Sequence, residues 1–260
     1  MNKCTYIIDV DGTLCSRQRD SVNVIDCQRI LEEKTKGNRV IICTGRSLHE
    51  AQHILDQIEF DDIFISGNGA LTICQKEIIT YFPMNKDQAL EIVHYCQQHN
   101  IEGFVIRCLR ENDGFKELFS HAKEYVPTEN EEFLDFHLYT ETSDEKMILI
   151  EELKKIAGDE LIVKNSGEVI IEVFNKNLNK GWTLQYLHEK GYLGDGLKVY
   201  IGDSDNDLQA IKYIQSIGGV GIAMGNAFDH VKEQVDYVTT DVNDNGVGHA
   251  IEWIREKYHV

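Results

Sequence analysis

The chain has 260 residues, 42% of them hydrophobic, which is enough apolar material for one large core or two modest ones. Its 44 acidic residues against 26 basic ones leave a formal charge of −18. That excludes binding to a nucleic-acid backbone or to an anionic membrane, both of which need basic patches. A phosphate-bearing substrate would have to be drawn by a local metal and a few placed cations, not by the overall field. The cysteines (Cys4, Cys15, Cys27, Cys43, Cys74, Cys96, Cys108) form an odd set with no CxxC pair. This is the usage of a reducing, cytoplasmic compartment, so a zinc site or a disulfide framework is not expected. There is no basic-then-apolar leader and no apolar run approaching ~18 residues, so neither a signal peptide nor a membrane span is expected.

Taken in chain order, the first third alternates. Extended runs at Cys4–Asp9, Arg39–Cys43 and Ile63–Ser66 are separated by helical patterns, such as Leu48, Ala51, Ile54, Leu55 and Ile58. Strand–helix–strand alternation predicts a parallel sheet with covering helices. Asn68-Gly69 reads as a hairpin turn into Ala70–Ile73, and a further strand follows at 76–82. After Pro83 the pattern changes. A helix around Leu90–Cys96 and a strand at Ile101–Arg107 precede a mixed charged stretch at Lys116–Tyr125. Then come a strand at Phe133–Thr140, a helix at Met147–Ile156, and strands at Leu161–Val163 and Val169–Phe174. These strands alternate less purely and carry more charge, as in a smaller sheet with one open face. From Lys180 the first style returns. A helix runs to Lys190, with strands at Lys198–Ile201 and Val220–Ala223 around the helix Asn206–Ile214. A short helix at Phe228–Gln234, an extended stretch at Tyr237–Thr240 and a last helix at Gly248–Lys257 complete the chain. The expectation is a discontinuous α/β core, Rossmann-like, with a parallel sheet and helices on both faces. It would span 1–82 and 179–260, with an α+β cap domain inserted at 83–178.

Chemistry is expected at the ends of the core strands. Asp9-Val10-Asp11-Gly12-Thr13-Leu14 directly follows the apolar Tyr6-Ile7-Ile8. Alternate residues of an extended chain point the same way, so Asp9 and Asp11 can face one site past the strand end. Two anions held together call for a cation or a shared proton. A bound Mg²⁺ with one carboxylate free for covalent work explains the pair; a strand followed by an Asx turn is the plain alternative. Thr44-Gly45-Arg46 follows the second strand as a small anion cradle, or as a Thr/Gly turn with a surface Arg. Lys180-Gly181 opens a helix, where a cation opposes the macrodipole unless an anion faces it. Gly202-Asp203-Ser204-Asp205-Asn206-Asp207 puts three carboxylates at a helix start, more than capping requires.

In this order the motifs Asp-x-Asp-Gly-Thr-Leu, Thr-Gly-Arg, Lys-Gly and Gly-Asp-Ser-x-Asn-Asp resemble the haloacid dehalogenase-like phosphatases. The resemblance is strongest to the Cof-type branch, with its large inserted α/β cap. Gly67-Asn68-Gly69-Ala70, Ala223-Met224-Gly225-Asn226-Ala227 and Asn245-Gly246-Val247 are similar to that branch as well. Ala210 departs from it where a bulkier Met is expected, a matter of packing. The resemblance implies Asp9 as the nucleophile that forms an aspartyl-phosphate and Asp11 as the acid and then the base. It implies Mg²⁺ held by Asp9, the Asp11 backbone carbonyl and Asp203, with Asp207 holding a metal-bound water. Thr44, the Gly45 backbone, Lys180 and Asn206 would bind the phosphoryl oxygens. The expected function is a Mg²⁺-dependent phosphomonoesterase of a small metabolite: a sugar, polyol, or vitamin- or flavin-related phosphate. A phosphomutase, a receiver domain carrying aspartyl-phosphate and a non-catalytic phosphate-binding protein are the rivals. The length and the insert argue against the receiver, and the intact motifs against the binder.

Two features have ordinary readings. Asp241-Val242-Asn243-Asp244-Asn245-Gly246 with Glu252 has the spacing of a calcium loop. A strand precedes it, however, where a calcium loop has an entering helix, and Gly248 stands where such loops carry an apolar residue. Cys43 beside the cradle is expected to be a small buried residue, not a thiolate nucleophile.

Overall fold

A computed structural model describes residues 3–16, 20–75, 77–99, 101, 103–110, 114–166 and 168–260. It divides into two units, Met1–Thr80 with Asn179–Val260, and Tyr81–Leu178.

The first unit is built on an eight-stranded sheet. In chain order its strands are β1 (Cys4–Ile8), β2 (Arg39–Cys43), β3 (Ile63–Ser66), β4 (Leu71–Cys74) and β5 (Glu77–Tyr81), then β11 (Leu197–Gly202), β12 (Val220–Ala223) and β13 (Tyr237–Val238). Their spatial order is β13-β12-β11-β1-β2-β3-β4-β5. From β13 to β3 every pair is parallel; β4 turns back antiparallel on β3 through a 3-10 turn at Gly67–Gly69. The β1 side chains are all buried, because the strand is covered on both faces. Tyr6 and Ile8 pack in one layer with Ile30 of α1 (Val24–Thr35), Ile54 of α2 (Leu48–Gln57) and Ile251 of α8 (Gly246–Tyr258). Ile7, pointing the other way, packs with Leu184 of α5 (Lys180–Glu189), Ile211 of α6 (Leu208–Ser216) and Val231 of α7 (Asp229–Lys232). The chain runs outward from β1 through β2 and β3 on one side, and through β11, β12 and β13 on the other. The gap between β1 and β11 is therefore a topological switch point, where open α/β sheets place ligands at the carboxyl ends of their strands.

The second unit is a five-stranded sheet in the order β7-β6-β8-β10-β9, with each neighbouring pair antiparallel. The strands are β6 (Gly103–Arg110), β7 (Gly114–Ser120), β8 (Glu132–Tyr139), β9 (Leu161–Asn165) and β10 (Ile170–Asn175). Helices α3 (Lys86–Gln98) and α4 (Ser143–Ala157) join Ile106, Phe136 and Ile171 of the sheet in one core.

Two sequence expectations are corrected. The charged stretch Lys116–Tyr125 contains most of strand β7, whose Glu117 sits opposite Arg107 of β6 with 3.5 Å between carboxylate and guanidinium. A strand whose charges meet opposite charges across the ladder does not show an apolar alternation. Helix α1 occupies the expected helical stretch between β1 and β2, with Val24 and Ile25 exposed and Asp26 and Glu33 buried. The last core helix starts at Gly246, two residues before the expected Gly248. The calcium-like loop is a 3-10 turn in which Asp241 accepts from the Asn243 N–H at 2.8 Å, and Glu252 lies inside α8 paired with Arg29 at 2.5 Å. Among the described residues no helix is long and apolar enough to cross a membrane.

Candidate active site

Three of the four motifs lie just past a strand end of the first unit, and the fourth opens helix α5. Asp9 follows β1, and its N–H donates to the Ile201 carbonyl of β11 at 3.0 Å, so the strand pairing itself delivers Asp9 to the switch point. Thr44 follows β2 and Asp203 follows β11. Lys180 is the first residue of α5, whose N-cap Asn179 accepts from the Trp182 N–H at 2.9 Å.

The Lys180 ammonium donates to Asp9 Oδ1 at 2.6 Å and to Asp207 Oδ1 at 2.7 Å, and all three residues are buried. Asp207 is saturated. Its Oδ1 also accepts from the Tyr200 hydroxyl at 2.7 Å, and its Oδ2 accepts from the Asp203 and Ser204 N–H groups at 3.0 Å each. It ties the α5 lysine to the loop that carries Asp203. Carboxylate oxygens of Asp9, Asp203 and Asp207 lie within 4.8 Å of one another. Three carboxylates thus stand together, two of them bonded to the Lys180 ammonium. Burial alone would discharge Lys180, but Asp207 and Asp9 outweigh it and hold its pKa above the ordinary lysine range. Burial likewise opposes the Asp207 charge, yet Lys180 and the hydrogen bonds keep its carboxyl below the usual range. Asp9 is the member left short. Burial, with the Asp207 and Asp203 charges, pushes its carboxyl above the usual range against the pull of Lys180.

These residues fit a hard divalent cation. The donor set is carboxylate oxygen, and its charge exceeds what Lys180 neutralises. Gly12 has φ +89°, and a Cβ there would lie 2.3 Å from Asp203 Oδ2, so the bare backbone leaves Asp203 its place. The Asp11 side chain is outside this cluster. It is paired with Arg46, Nη2 to Oδ1 at 2.6 Å and Nε to Oδ2 at 3.0 Å.

Beside the acidic group, Thr44 Oγ1 is buried and accepts from the Arg46 N–H at 3.1 Å, which leaves its own proton for an acceptor. Asn206 Nδ2 donates to Asn68 Oδ1 at 2.9 Å. Asn68 has φ 55° and lies against Gly45, so Asn206, Asn68 and the cradle glycine are neighbours. Cys43 is fully buried, and burial pushes its thiol up to about 12, which makes it inert as a nucleophile. Several supporting residues carried no role in the sequence. Tyr200 anchors Asp207, Thr13 Oγ1 lies 3.4 Å from Asp203 Oδ1, and Asn226 bridges the Gly12 carbonyl (2.7 Å) and the Val242 N–H (2.9 Å). Thr13 and Asn226 stood in quoted motifs without a role of their own; Tyr200 gave no signal apart from its place just before Gly202-Asp203.

A family model described as haloacid dehalogenase-like hydrolase matches residues 6–251. The chain belongs to the haloacid dehalogenase-like hydrolases. It is 29% identical over 251 residues to the 5-amino-6-(5-phospho-D-ribitylamino)uracil phosphatase YcsE of Bacillus subtilis, covering 95% of this chain and 94% of that one. It is 23% identical to a phosphoglycolate phosphatase of Archaeoglobus fulgidus, covering 95% of each. Its fold is that of a solved Thermotoga maritima structure, with a TM-score of 0.78 at 24% identity over 98% of both chains. With phosphatases as relatives along its whole length, this family member is an enzyme of the phosphatase class.

Proposed function

We propose that this phosphatase hydrolyses a small soluble phosphomonoester, a sugar, polyol or ribityl-type phosphate, through a covalent intermediate on Asp9. The observation that carries the reading is the buried Lys180 ammonium clamped between Asp9 and Asp207 at the switch point of the sheet. An oxygen of the Asp9 carboxylate bonds to phosphorus as the ester P–O bond breaks, and Asp11 gives a proton to the departing oxygen. Asp11 then takes a proton from water. The water oxygen bonds to phosphorus, and the Asp9–phosphorus bond breaks to return the carboxylate and release phosphate. Lys180, Thr44, the Gly45 backbone and Asn206 hold the phosphoryl oxygens, and Lys180 lowers the repulsion between an anionic nucleophile and an anionic ester. Asp9, Asp203 and the Asp11 backbone carbonyl would hold a Mg²⁺, and Asp207 keeps the Asp203 loop in place. When bound, that ion supplies the further positive charge the phosphoryl group needs.

The ribityl-type option is supported by the YcsE relative, and the net charge of −18 disfavours substrates with a second phosphate. The test is phosphate release across a panel of sugar, polyol, ribityl and bisphosphate esters, with Mg²⁺ and with EDTA. Release should require the metal and should fall by at least ~1,000-fold in Asp9→Asn, since an equal-sized amide cannot attack phosphorus. Retention of a tenth of the wild-type rate in that variant would remove Asp9 as the nucleophile. A requirement for a bisphosphate without net release would turn the reading to a phosphomutase.

A further inference from the structure

We infer that Arg46 is the positioning residue for Asp11, aiming its carboxyl group at the leaving oxygen and then at the attacking water. The inference rests on the acid–base reading of Asp11 given above. Asp11 leaves β1 on a short loop, and its side chain is 36% exposed. Left alone, such a carboxylate would sample its rotamers freely. Instead both of its oxygens meet the Arg46 fork, at 2.6 Å and 3.0 Å, which is the planar two-point grip of guanidinium on carboxylate. The fork is itself held. The Arg46 N–H donates to Thr44 Oγ1 at 3.1 Å, and its carbonyl accepts from Ser66 Oγ at 2.9 Å. Its Nη2 also pairs with Asp20 Oδ1 at 2.8 Å, and His53 Nε2 lies 3.5 Å from the other Asp20 oxygen. The guanidinium pKa is held above the ordinary arginine range, first by the Asp11 hydrogen bonds.

The arrangement has a chemical consequence. A group that must serve two different oxygens in two successive steps gains from a fixed direction, since a misplacement of about 1 Å can cost roughly 100-fold in rate. Arg46 reaches Asp11 from the loop after β2, the same loop that presents Thr44 and Gly45. The cradle for the phosphoryl oxygens and the aim of the acid–base group are therefore set by one backbone segment. A lysine cannot take over, because it offers a point charge on a flexible stem and no fork.

The test compares kcat/KM for an activated aryl ester, p-nitrophenyl phosphate, with that for an unactivated alkyl ester, glycerol phosphate. The proteins are the full-length wild type, Arg46→Gln, Arg46→Lys, Asp11→Asn and the double variant Asp11→Asn with Arg46→Gln. The aryl leaving group needs little proton donation and the alkyl one needs it fully. Arg46→Gln should lower the alkyl value by roughly 10- to 100-fold and the aryl value by less than about 3-fold. Arg46→Lys, which keeps the charge and the stem, should show the same split and serves as the folded variant if the glutamine form is unstable. In the Asp11→Asn background, adding Arg46→Gln should change the alkyl value by less than about 2-fold, because the group it aims is gone. Equal losses on both esters would make Arg46 a substrate-binding or purely structural residue and overturn the inference. So would a full Arg46→Gln effect in the Asp11→Asn background. If Asp11→Asn alone left the alkyl rate untouched, the acid–base reading of Asp11 would fall first and take the inference with it.

Discussion

At the scale of single residues, the site depends on atoms that are missing as much as on those present. Gly12 adopts φ +89° with Asp203 Oδ2 where a Cβ would stand. Gly12→Ala should therefore strain the loop by about 1–2 kcal/mol and push the Asp203 carboxylate aside. We expect a weakened Mg²⁺ requirement curve and a fall in kcat of at least ~10-fold, read by titrating the metal against turnover. A second residue-scale prediction concerns Asp26, far from the chemistry. It is buried, its Oδ1 accepts from the Gly248 N–H at 2.7 Å, and its Oδ2 has no partner among the described residues. Burial pushes its carboxyl from 3.8 up to about 6, against the hydrogen bonds from Gly248 and Asn23. Between those values the folded chain keeps a proton that the unfolded chain has lost. The Asp26 contribution to stability is therefore best at low pH and declines as pH rises through about 6. Asp26→Asn lacks this titration. From about pH 4 to about pH 7 its stability relative to the wild type should improve by about 2 kcal/mol, measured by urea unfolding. A flat difference would show that Asp26 titrates normally.

At the scale of elements, the two helices that start near the site must keep their spacing. Gly181, next to Lys180 in α5, faces α6 so closely that a Cβ would lie 2.4 Å from the Gln209 carbonyl oxygen. A backbone oxygen inside a helix cannot swing away, so Gly181→Ala must push α5 from α6. The expected cost is about 1–3 kcal/mol of stability. Turnover should fall as well, because Lys180 moves with its helix while its partners Asp9 and Asp207 stay with β1 and the loop after β11. Thermal melts and steady-state kinetics on the same variant separate the two effects. Ala210, where the family resemblance leads one to expect a larger residue, is fully buried in α6 at this same contact.

At the scale of the whole molecule, the strongly acidic chain brings Asp9, Asp203 and Asp207 within 4.8 Å of one another, with the Lys180 ammonium bonded to two of them. Mg²⁺ binding should relieve that crowding and stabilise the fold by mass action, by about 2.7 kcal/mol at a 100-fold excess over Kd. The melting temperature should rise by several degrees with Mg²⁺ in the wild type and by much less in Asp203→Asn. An equal rise in both would place the ion elsewhere. Much of this organisation was legible in the chain itself. The apolar runs Tyr6–Ile8, Val40–Cys43 and Val199–Ile201 mark buried parallel strands. The carboxylates and glycines directly after them mark strand-end chemistry, because local spacing and backbone direction are properties of a few neighbouring residues. Strand β7 was not legible, since its face is decided by a partner on another strand, Arg107 of β6 against Glu117. The pairing of Asp11 with Arg46, 35 residues apart, was not legible either, nor was the clamp of Lys180 on Asp9, 171 residues apart. The sequence by itself determined which side chains stand at the strand ends. Only the tertiary structure decided which of them share a proton, a charge or a cation, because that depends on β11 closing beside β1 and on α5 returning its first residue to the same gap.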